Sequence, residues 1–590
     1  MIFEYNRGVK FVQLAEYLEK LEKTSSRLEM TRILAELYAQ VSPEEGKIVA
    51  YLSAGMLGPK YNNPDTGMAE KQALKAVAIA FQAEVEKVTG VFKKEGDLGR
   101  AVEVLSESEK SRSGVSVKGV YDKLREMAAV SGGGSQDKKA ELLAEIIKEL
   151  DGRSAKYVTK IVLGKMRTGF SDMTVLDALS WMKTGDKSLR EKIERIYNVR
   201  ADLGEVVRLV CEHGDISKIR VEPEFGTPIL VARAERAKSA AEIWERLGVA
   251  AAEHKLDGLR IQAHVYKTDG KKEPEIRLFS RGMENVTAMY PDVVDGLRRQ
   301  VGRNCILDGE MIAVGDNGKY LPFQETVQRK RKYDIMEMLS KVPLKYYTFD
   351  VLAVEKKSML DEPNEDRWKK LTEMVKTGAK ISEDVVRLMP RKIVNSEEEI
   401  EKFFHEALAE GTEGVVVKKL SGTYQSGSRD FNWIKYKKSY DETGVADTID
   451  AVVMGYDAGQ GKRSGFGIGG FLIGVNKGET GRFQTIAKIG TGLTDDEWRE
   501  LRRRCDLIRL KDKPDEYEVE KQMNCDVWVE PKMVVEIKAD EITRSPMHSA
   551  GFALRFPRLV SFREMKVEEA ATVAEIKRLF DLQKNNQENE

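Results

Sequence analysis

The chain has 590 residues, enough for three or four domains that each bury an ordinary core. Hydrophobic residues make up 41% and charged residues 33%, a globular balance, and no apolar run approaches the roughly 18 residues of a membrane span. Lys+Arg and Asp+Glu both number 97, so an anionic partner has to be held by local patches and not by a basic excess.

Four cysteines, Cys211, Cys305, Cys505 and Cys525, form no C-x-x-C pair, which argues against a zinc site and a disulfide framework. Met1-Ile2-Phe3-Glu4-Tyr5 is not the start of a signal peptide. A cytoplasmic monomer with no membrane association is expected.

Residues 1 to about 222 read as helical. Phe11, Leu14, Tyr17, Leu18 and Leu21 recur at three- and four-residue spacing. Ser131-Gly132-Gly133-Gly134-Ser135-Gln136 breaks this half and is followed by Lys138-Lys139 and a new amphipathic run. It reads either as a flexible connector or as backbone amides at a helix start that hold a phosphate. Gly164-Lys165-Met166-Arg167-Thr168-Gly169 joins a helix around Ile161 to one starting near Thr174.

The pattern changes after Pro223. From about 223 to 438 strands alternate with helices: Ile261–Val265 and Val415–Val417 are strand-like, and 397–409 has helical spacing. From about 439 to 580 short strands and turns suit a small β-barrel of the OB type. The polar tail 581–590 is expected to be disordered.

Chemistry-bearing residues concentrate in the middle. Lys255 lies in Glu253-His254-Lys255-Leu256-Asp257-Gly258-Leu259-Arg260. Downstream follow Asp308-Gly309-Glu310, Phe349-Asp350, Glu413-Gly414-Val415-Val416-Val417-Lys418 and Trp433-Ile434-Lys435-Tyr436-Lys437. A lone K-x-D-G is common; the ordered series is not. Lysine attacks only after shedding its proton, which desolvation and nearby cations promote, and Lys435 and Lys437 supply cations. Taken singly, Phe349 reads as core and Glu413 as a cap on the turn at Gly411–Gly414.

The series resembles the covalent nucleotidyltransferases, specifically ATP-dependent DNA ligases of the archaeal and eukaryotic type, over residues 1 to about 567. That resemblance implies an all-α DNA-binding domain, an α+β adenylation domain with antiparallel sheets and an OB barrel. It implies that ATP adenylylates Lys255 and that AMP then activates the 5′-phosphate of a nick in duplex DNA. Glu253 would recognise adenine, Phe349 would stack on it, and Glu310 would accept a hydrogen bond from the ribose. Arg260 and Arg281 would meet the nucleotide or nick. Lys435 and Lys437 would balance the α-phosphate. Glu413, with Glu310 and Asp257, would hold Mg²⁺ or Mn²⁺.

Ser280-Arg281-Gly282 departs from the family's S-R-N at Gly282. Asp526–Lys532 and Glu541–Pro546 also look like ligase sequence, and Ala553-Leu554-Arg555-Phe556-Pro557-Arg558 resembles the motif that closes over ATP. Its usual acid is replaced by Met565. Gly132, Ser135, Lys138, Lys165 and Arg167 become candidate contacts to the DNA backbone.

Capping guanylyltransferases and RNA ligases share K-x-D-G but not the long helical half. NAD-dependent ligases carry a Cys-rich zinc module absent here. A nick-binding scaffold without catalysis would not need the intact lysine and carboxylates. Glu397–Phe404 imitates a sliding-clamp box, yet Ile400, Phe403, Phe404 and Leu408 have the spacing of a core helix. The corresponding family position, Ser111–Val117, has no aromatic pair, so a clamp remains a partner without a convincing box.

Overall fold

The computed structural model describes residues 8–588, apart from 25, 107–113, 167, 316–317, 331–334, 377–383, 438–447, 460–465, 479–480 and 564. It divides into two compact units, Met1–Lys437 and Lys438–Glu590.

The first unit begins with twelve α-helices among its described residues, from Phe11–Glu22 to Leu203–Glu212. Their starts follow side-chain capping. Ser26, Ser116, Asp151 and Asp202 each accept a hydrogen bond from a backbone N–H in the first turn, satisfying donors the helix cannot. The apolar stripe closes as the spacing predicts: Phe11, Leu14, Leu18 and Leu21 are fully buried, and Tyr17 is partly so.

Two sheets follow. The first has the order β1 (Arg233–Arg236), β11 (Arg429–Lys437), β10 (Gly414–Lys419), β2 (Ala250–His254), β9 (Arg391–Val394). The second has the order β4 (Glu275–Ser280), β3 (Leu259–Tyr266), β5 (Cys305–Ala313), β6 (Leu344–Val354), β7 (Lys357–Ser358), with β8 (Val386–Leu388) also on β6. Pairing is antiparallel except at β1–β11 and β6–β8, a mixed character that the sequence pattern does not predict.

Each sheet has one apolar face. Ile261, Ala263, Val265, Leu307, Met311 and Tyr346 pack on helices including Pro291–Gln300 and Asn364–Met374. Ala250, Ala252, Val415, Val417 and Ile434 pack on the helix Glu397–Ala409 through Ile400, Phe403, Phe404 and Ala407. The clamp-like aromatics Phe403 and Phe404 are thus core residues.

The helical region is keyed into the segments that precede β1 and β11. Asn198, 9% exposed, donates from its side chain to the Ser426 carbonyl at 2.9 Å, and its own carbonyl accepts from the Leu230 N–H at 2.8 Å. Val199 joins Ile229, Tyr424 and Trp433 in one buried cluster.

The second unit holds β12 (Ile449–Asp457), β13 (Gly470–Asn476), β14 (Phe483–Ile489), β15 (Arg509–Leu510), β16 (Tyr517–Glu518), β17 (Val527–Val529), β18 (Val534–Lys538), β19 (Glu541–Arg544), β20 (Phe552–Arg555) and β21 (Arg558–Arg563). Most form one sheet of order β15-β17-β12-β13-β14-β16, with β18 bridging β12 and β21. Its core contains Ile449, Phe471, Ile486, Trp498 and Ile537.

The tail differs from expectation. The helix Val573–Glu588 runs through most of it. Ile576 and Phe580 anchor its start in the core, and Leu582, Gln583 and Lys584 are good helix formers with no Gly or Pro to stop them.

Candidate active site

Strand alternation sorts the motif residues onto one face of the first sheet. Val416 lies opposite Glu253 on one side and Lys435 on the other; Lys418 lies opposite Trp433, and Gly414 opposite Lys437. Directly opposed residues share a face, so Glu253, Lys418, Trp433, Lys435 and Lys437 point away from the apolar side. Lys255 extends this row. Its N–H donates to the Gly414 carbonyl at 2.9 Å, and its carbonyl accepts from the Glu413 N–H at 2.9 Å.

That backbone exchange sets Lys255 beside Glu413. Lys255 Nζ donates to Glu413 Oε2, and Lys437 Nζ reaches the same oxygen at 2.7 Å. Glu413 is 14% exposed, and despite that burial the two ammonium groups hold its carboxyl below the usual range. Burial lowers the Lys435 ammonium, helped by Arg429, Lys437 and Lys255. Gly414 adopts φ 138°, and a Cβ there would meet the Tyr436 carbonyl at 2.3 Å. At Gly258 a Cβ would meet the Met311 carbonyl at 2.3 Å. Both motif glycines are therefore set by close backbone approach.

The second sheet contributes Arg260, Asp308 and Glu310. Arg260 pairs with Glu310 in β3–β5 register, two residues from the Gln262–Asp308 pair, so all share one face. Burial pushes the Glu310 carboxyl up to about 8, with Lys255 and Arg260 pulling it down and Asp308 and Glu413 pushing it up. A carboxyl that keeps its proton can donate a hydrogen bond as well as accept one.

Phe349 owes its place to a β-bulge. Gly309 pairs with Thr348 and Asp308 with Asp350, which leaves Phe349 as an extra residue on β6. Its ring meets Trp433 edge-on with centroids 5.9 Å apart. The Arg260 guanidinium lies 5.4 Å from the Phe349 centroid and 5.7 Å from that of Trp433, and Lys418 lies 4.7 and 4.2 Å from the same two rings. These are cation–π distances.

Buried ion pairs brace this arrangement, two of them through arginines that no motif announces. Glu253, 2% exposed, is closed off by Lys418 at 2.7 Å and Arg391 at 3.3 Å, so its carboxylate is already engaged. Asp350 is held by Arg367 at 2.7 and 3.0 Å, and Asp308 by Arg260 at 2.7 and 3.1 Å. Lys418 at least closes the Glu413–Lys418 motif, but Arg367, Arg391 and Tyr424 stand in stretches with nothing to flag them.

Other expected residues lie elsewhere. Arg281 is exposed on the turn after β4 and lines a cavity of about 240 Å³ with Arg233, Gln262, Ser280 and Met283; that lining includes neither Lys255 nor Glu413. Asp257 is partly buried between β2 and β3. Among the described residues no three His, Cys, Asp or Glu side chains gather as a metal cage, so the expected trio of Asp257, Glu310 and Glu413 is not one. Glu413 is engaged instead by the Lys255 and Lys437 ammonium groups.

Gly132, Ser135 and Lys138 surround the start of the helix Ser135–Glu149, where Gly132 and Lys138 are exposed. Lys165 is exposed and pairs with Glu70 at 2.6 Å. Arg167, and Ser111–Ser113 of the alternative clamp position, lie outside the described residues. In the second unit Arg555 meets Glu541 at 3.3 Å and Arg558 meets Asp540 at 2.6 Å. Met565 packs on a hydrophobic cluster there, which accounts for an apolar residue at the acid's place.

Known proteins resemble the chain over nearly its whole length. Residues 10–180 match the family model for the DNA ligase N terminus, 231–437 that for the ATP dependent DNA ligase domain and 464–566 that for the ATP dependent DNA ligase C terminal region. A Dictyoglomus turgidum protein named "Probable DNA ligase" is 43% identical over 97% of this chain and 98% of its own. A DNA ligase of Sulfurisphaera tokodaii is 37% identical over 99% of both chains. The solved structure "Pmar-Lig_Pre." shares the fold at a TM-score of 0.53 and 16% identity, over 94% of this chain and 99% of that one.

Proposed function

The chain belongs to the ATP-dependent DNA ligase family, and on that premise we propose that Lys255 is the residue through which AMP passes from ATP to a nick in duplex DNA. The observation that carries this is the Lys255–Glu413–Lys437 ion-pair chain, set near Glu310, which Arg260 also influences from beside the Phe349 and Trp433 rings.

Lys255 Nζ gives a proton to its hydrogen-bond acceptor, Glu413 Oε2, and forms a bond to the α-phosphorus; the bond from that phosphorus to the bridging oxygen breaks, and pyrophosphate leaves. A 5′-phosphate oxygen at the nick then attacks the same phosphorus and breaks the N–P bond, releasing Lys255. Finally the 3′-hydroxyl oxygen attacks the 5′-phosphorus, and AMP departs. Each step places negative charge on phosphate oxygens, which preorganised cations stabilise more strongly in a water-poor cleft than in bulk water. Lys435 and Lys437 carry that charge for the first step. Phe349, backed by Trp433, offers a ring to the base, and Glu310 fixes the ribose.

Glu413 raises the cost of ionising Glu310, and the hard oxygen donors of the two fit a divalent cation completed by substrate phosphates. When bound, Mg²⁺ or Mn²⁺ would supply charge neutralisation on those phosphates. We read residues 1–222 as the part that grips duplex DNA, 223–438 as the adenylation domain and 439–580 as an OB barrel.

Incubation with α-labelled ATP and metal, then denaturing electrophoresis and peptide mapping, tests the assignment. Label is expected on the Lys255 peptide and absent from Lys255→Ala; equal labelling of that variant sinks it.

A further inference from the structure

A closed hydrogen-bonded loop lies behind Arg260. The Tyr424 hydroxyl donates to Asp308 Oδ2 at 2.6 Å and accepts from the Ala232 N–H at 3.1 Å. Asp308 accepts from Arg260 Nε at 3.1 Å and Nη2 at 2.7 Å. Arg260 Nη1 returns to the Ala232 carbonyl at 2.7 Å. Asp308 is 0% and Tyr424 4% exposed, so every member is out of water except the outer part of the guanidinium. Arg260 Nη2 also donates to the Tyr424 hydroxyl at 3.4 Å, so Nε, Nη1 and Nη2 are all tethered and the plane of the guanidinium is fixed.

We propose that Tyr424 is a positioning residue for ATP binding, holding Arg260 through Asp308 in the orientation that receives the nucleotide. The inference rests on the adenylylation reading above. Arg260 could adopt other rotamers if Asp308 were its sole tether, because a carboxylate rotates about its own axis. Tyr424 removes that freedom by taking one Asp308 oxygen, by accepting from the N–H of Ala232, the residue whose carbonyl receives Nη1, and by meeting Arg260 Nη2 itself at 3.4 Å. The strand-preceding segment, the carboxylate and the guanidinium then move only together. No motif marks Tyr424; it lies in the connection between β10 and β11.

The hydroxyl alone is tested by Tyr424→Phe, which keeps the ring that meets Trp433 at 5.5 Å. Full-length wild type, Tyr424→Phe, Arg260→Ala and the double variant are compared in two measurements: the rate of lysyl–AMP formation against ATP concentration, and the ATP-induced rise in melting temperature without metal. Tyr424→Phe is expected to raise the half-saturating ATP concentration about tenfold, the scale of one buried polar group losing its partner, with the rate at saturation unchanged. In the Arg260→Ala background it is expected to add nothing. Asp308→Asn, which weakens the loop from its other side, is expected to show the same split and serves if Tyr424→Phe folds poorly.

Additive effects of the single variants overturn the inference. So does a loss confined to the fraction of active enzyme with half-saturation unmoved, which is what a merely structural role would give. Absence of label at Lys255 in wild type, with the thermal shifts still non-additive, would strike the covalent reading and leave the positioning role standing.

Discussion

Burial pushes the Glu310 carboxyl up to about 8 from an ordinary 4.5. The unfolded chain ionises this group near 4.5, so between that pH and about 8 the native state holds a proton that the unfolded state has lost. Stability therefore declines as pH rises through this window and levels off above it. Glu310→Gln has no such slope. A tenfold change in proton affinity is worth about 1.36 kcal/mol, and ~1 kcal/mol moves the melting point of a domain of this size by about 2–4 °C. The melting temperature of the wild type is expected to fall by several degrees relative to Glu310→Gln between about pH 5 and pH 8. Parallel curves in a pH series of thermal melts would show that Glu310 ionises normally.

At the scale of elements, the helix Glu397–Ala409 supports the sheet that presents Lys255. Phe403 is 7% exposed, and its ring tilts against His254 with centroids 5.3 Å apart. Phe403→Ala is expected to cost about 3–5 kcal/mol in urea unfolding, the usual range for a large core aromatic. A change near zero would mean that the ring is free to bind a partner, and the clamp-box reading would return.

This helix is legible from its spacing, as are the helical half and the strands at Ile261–Val265 and Val415–Val417. Three features are not. Val415, Val416 and Val417 are chemically alike, so nothing in the run tells that Val416 joins the face of Glu253 and Lys435 while its neighbours enter the core. Phe349 reads singly as core because a bulge leaves no local signature in an apolar strand. Arg367, Arg391 and Tyr424 depend on pairing between distant segments, which one sequence does not disclose. The motif spacing locates the site; the register explains which side chains line it.

At the scale of the whole chain, the helical region carries no member of the Lys255 site yet holds Asn198 and Val199 against the segments before β1 and β11. Residues 225–590 alone are expected to form lysyl–AMP but to bind nicked DNA weakly, and to melt below the full-length protein because Ile229, Tyr424 and Trp433 lose the cover of Val199. Full-length affinity for a nicked duplex is expected to fall with salt, log K declining by about 0.9 for each unit of log salt concentration per phosphate neutralised. Undiminished nick binding by the shorter protein, or a flat salt dependence, would remove the gripping role from residues 1–222.

The position of β2 between β9 and β10 also has a consequence in time. Lys255 and Glu413 are 158 residues apart in the chain. A ribosome adding about 5–20 residues per second needs roughly 8–30 s to travel that distance. For most of this interval the helical region has all it needs to close its core, while the strand that ends beside Lys255 lacks both neighbours: β9 is made only near the end and β10 just after it. The lysine is made early and armed late. If Lys255 is the adenylylated residue proposed above, a half-synthesised chain holds it without Glu413, Lys435 or Lys437, and is expected to take up no label from α-labelled ATP.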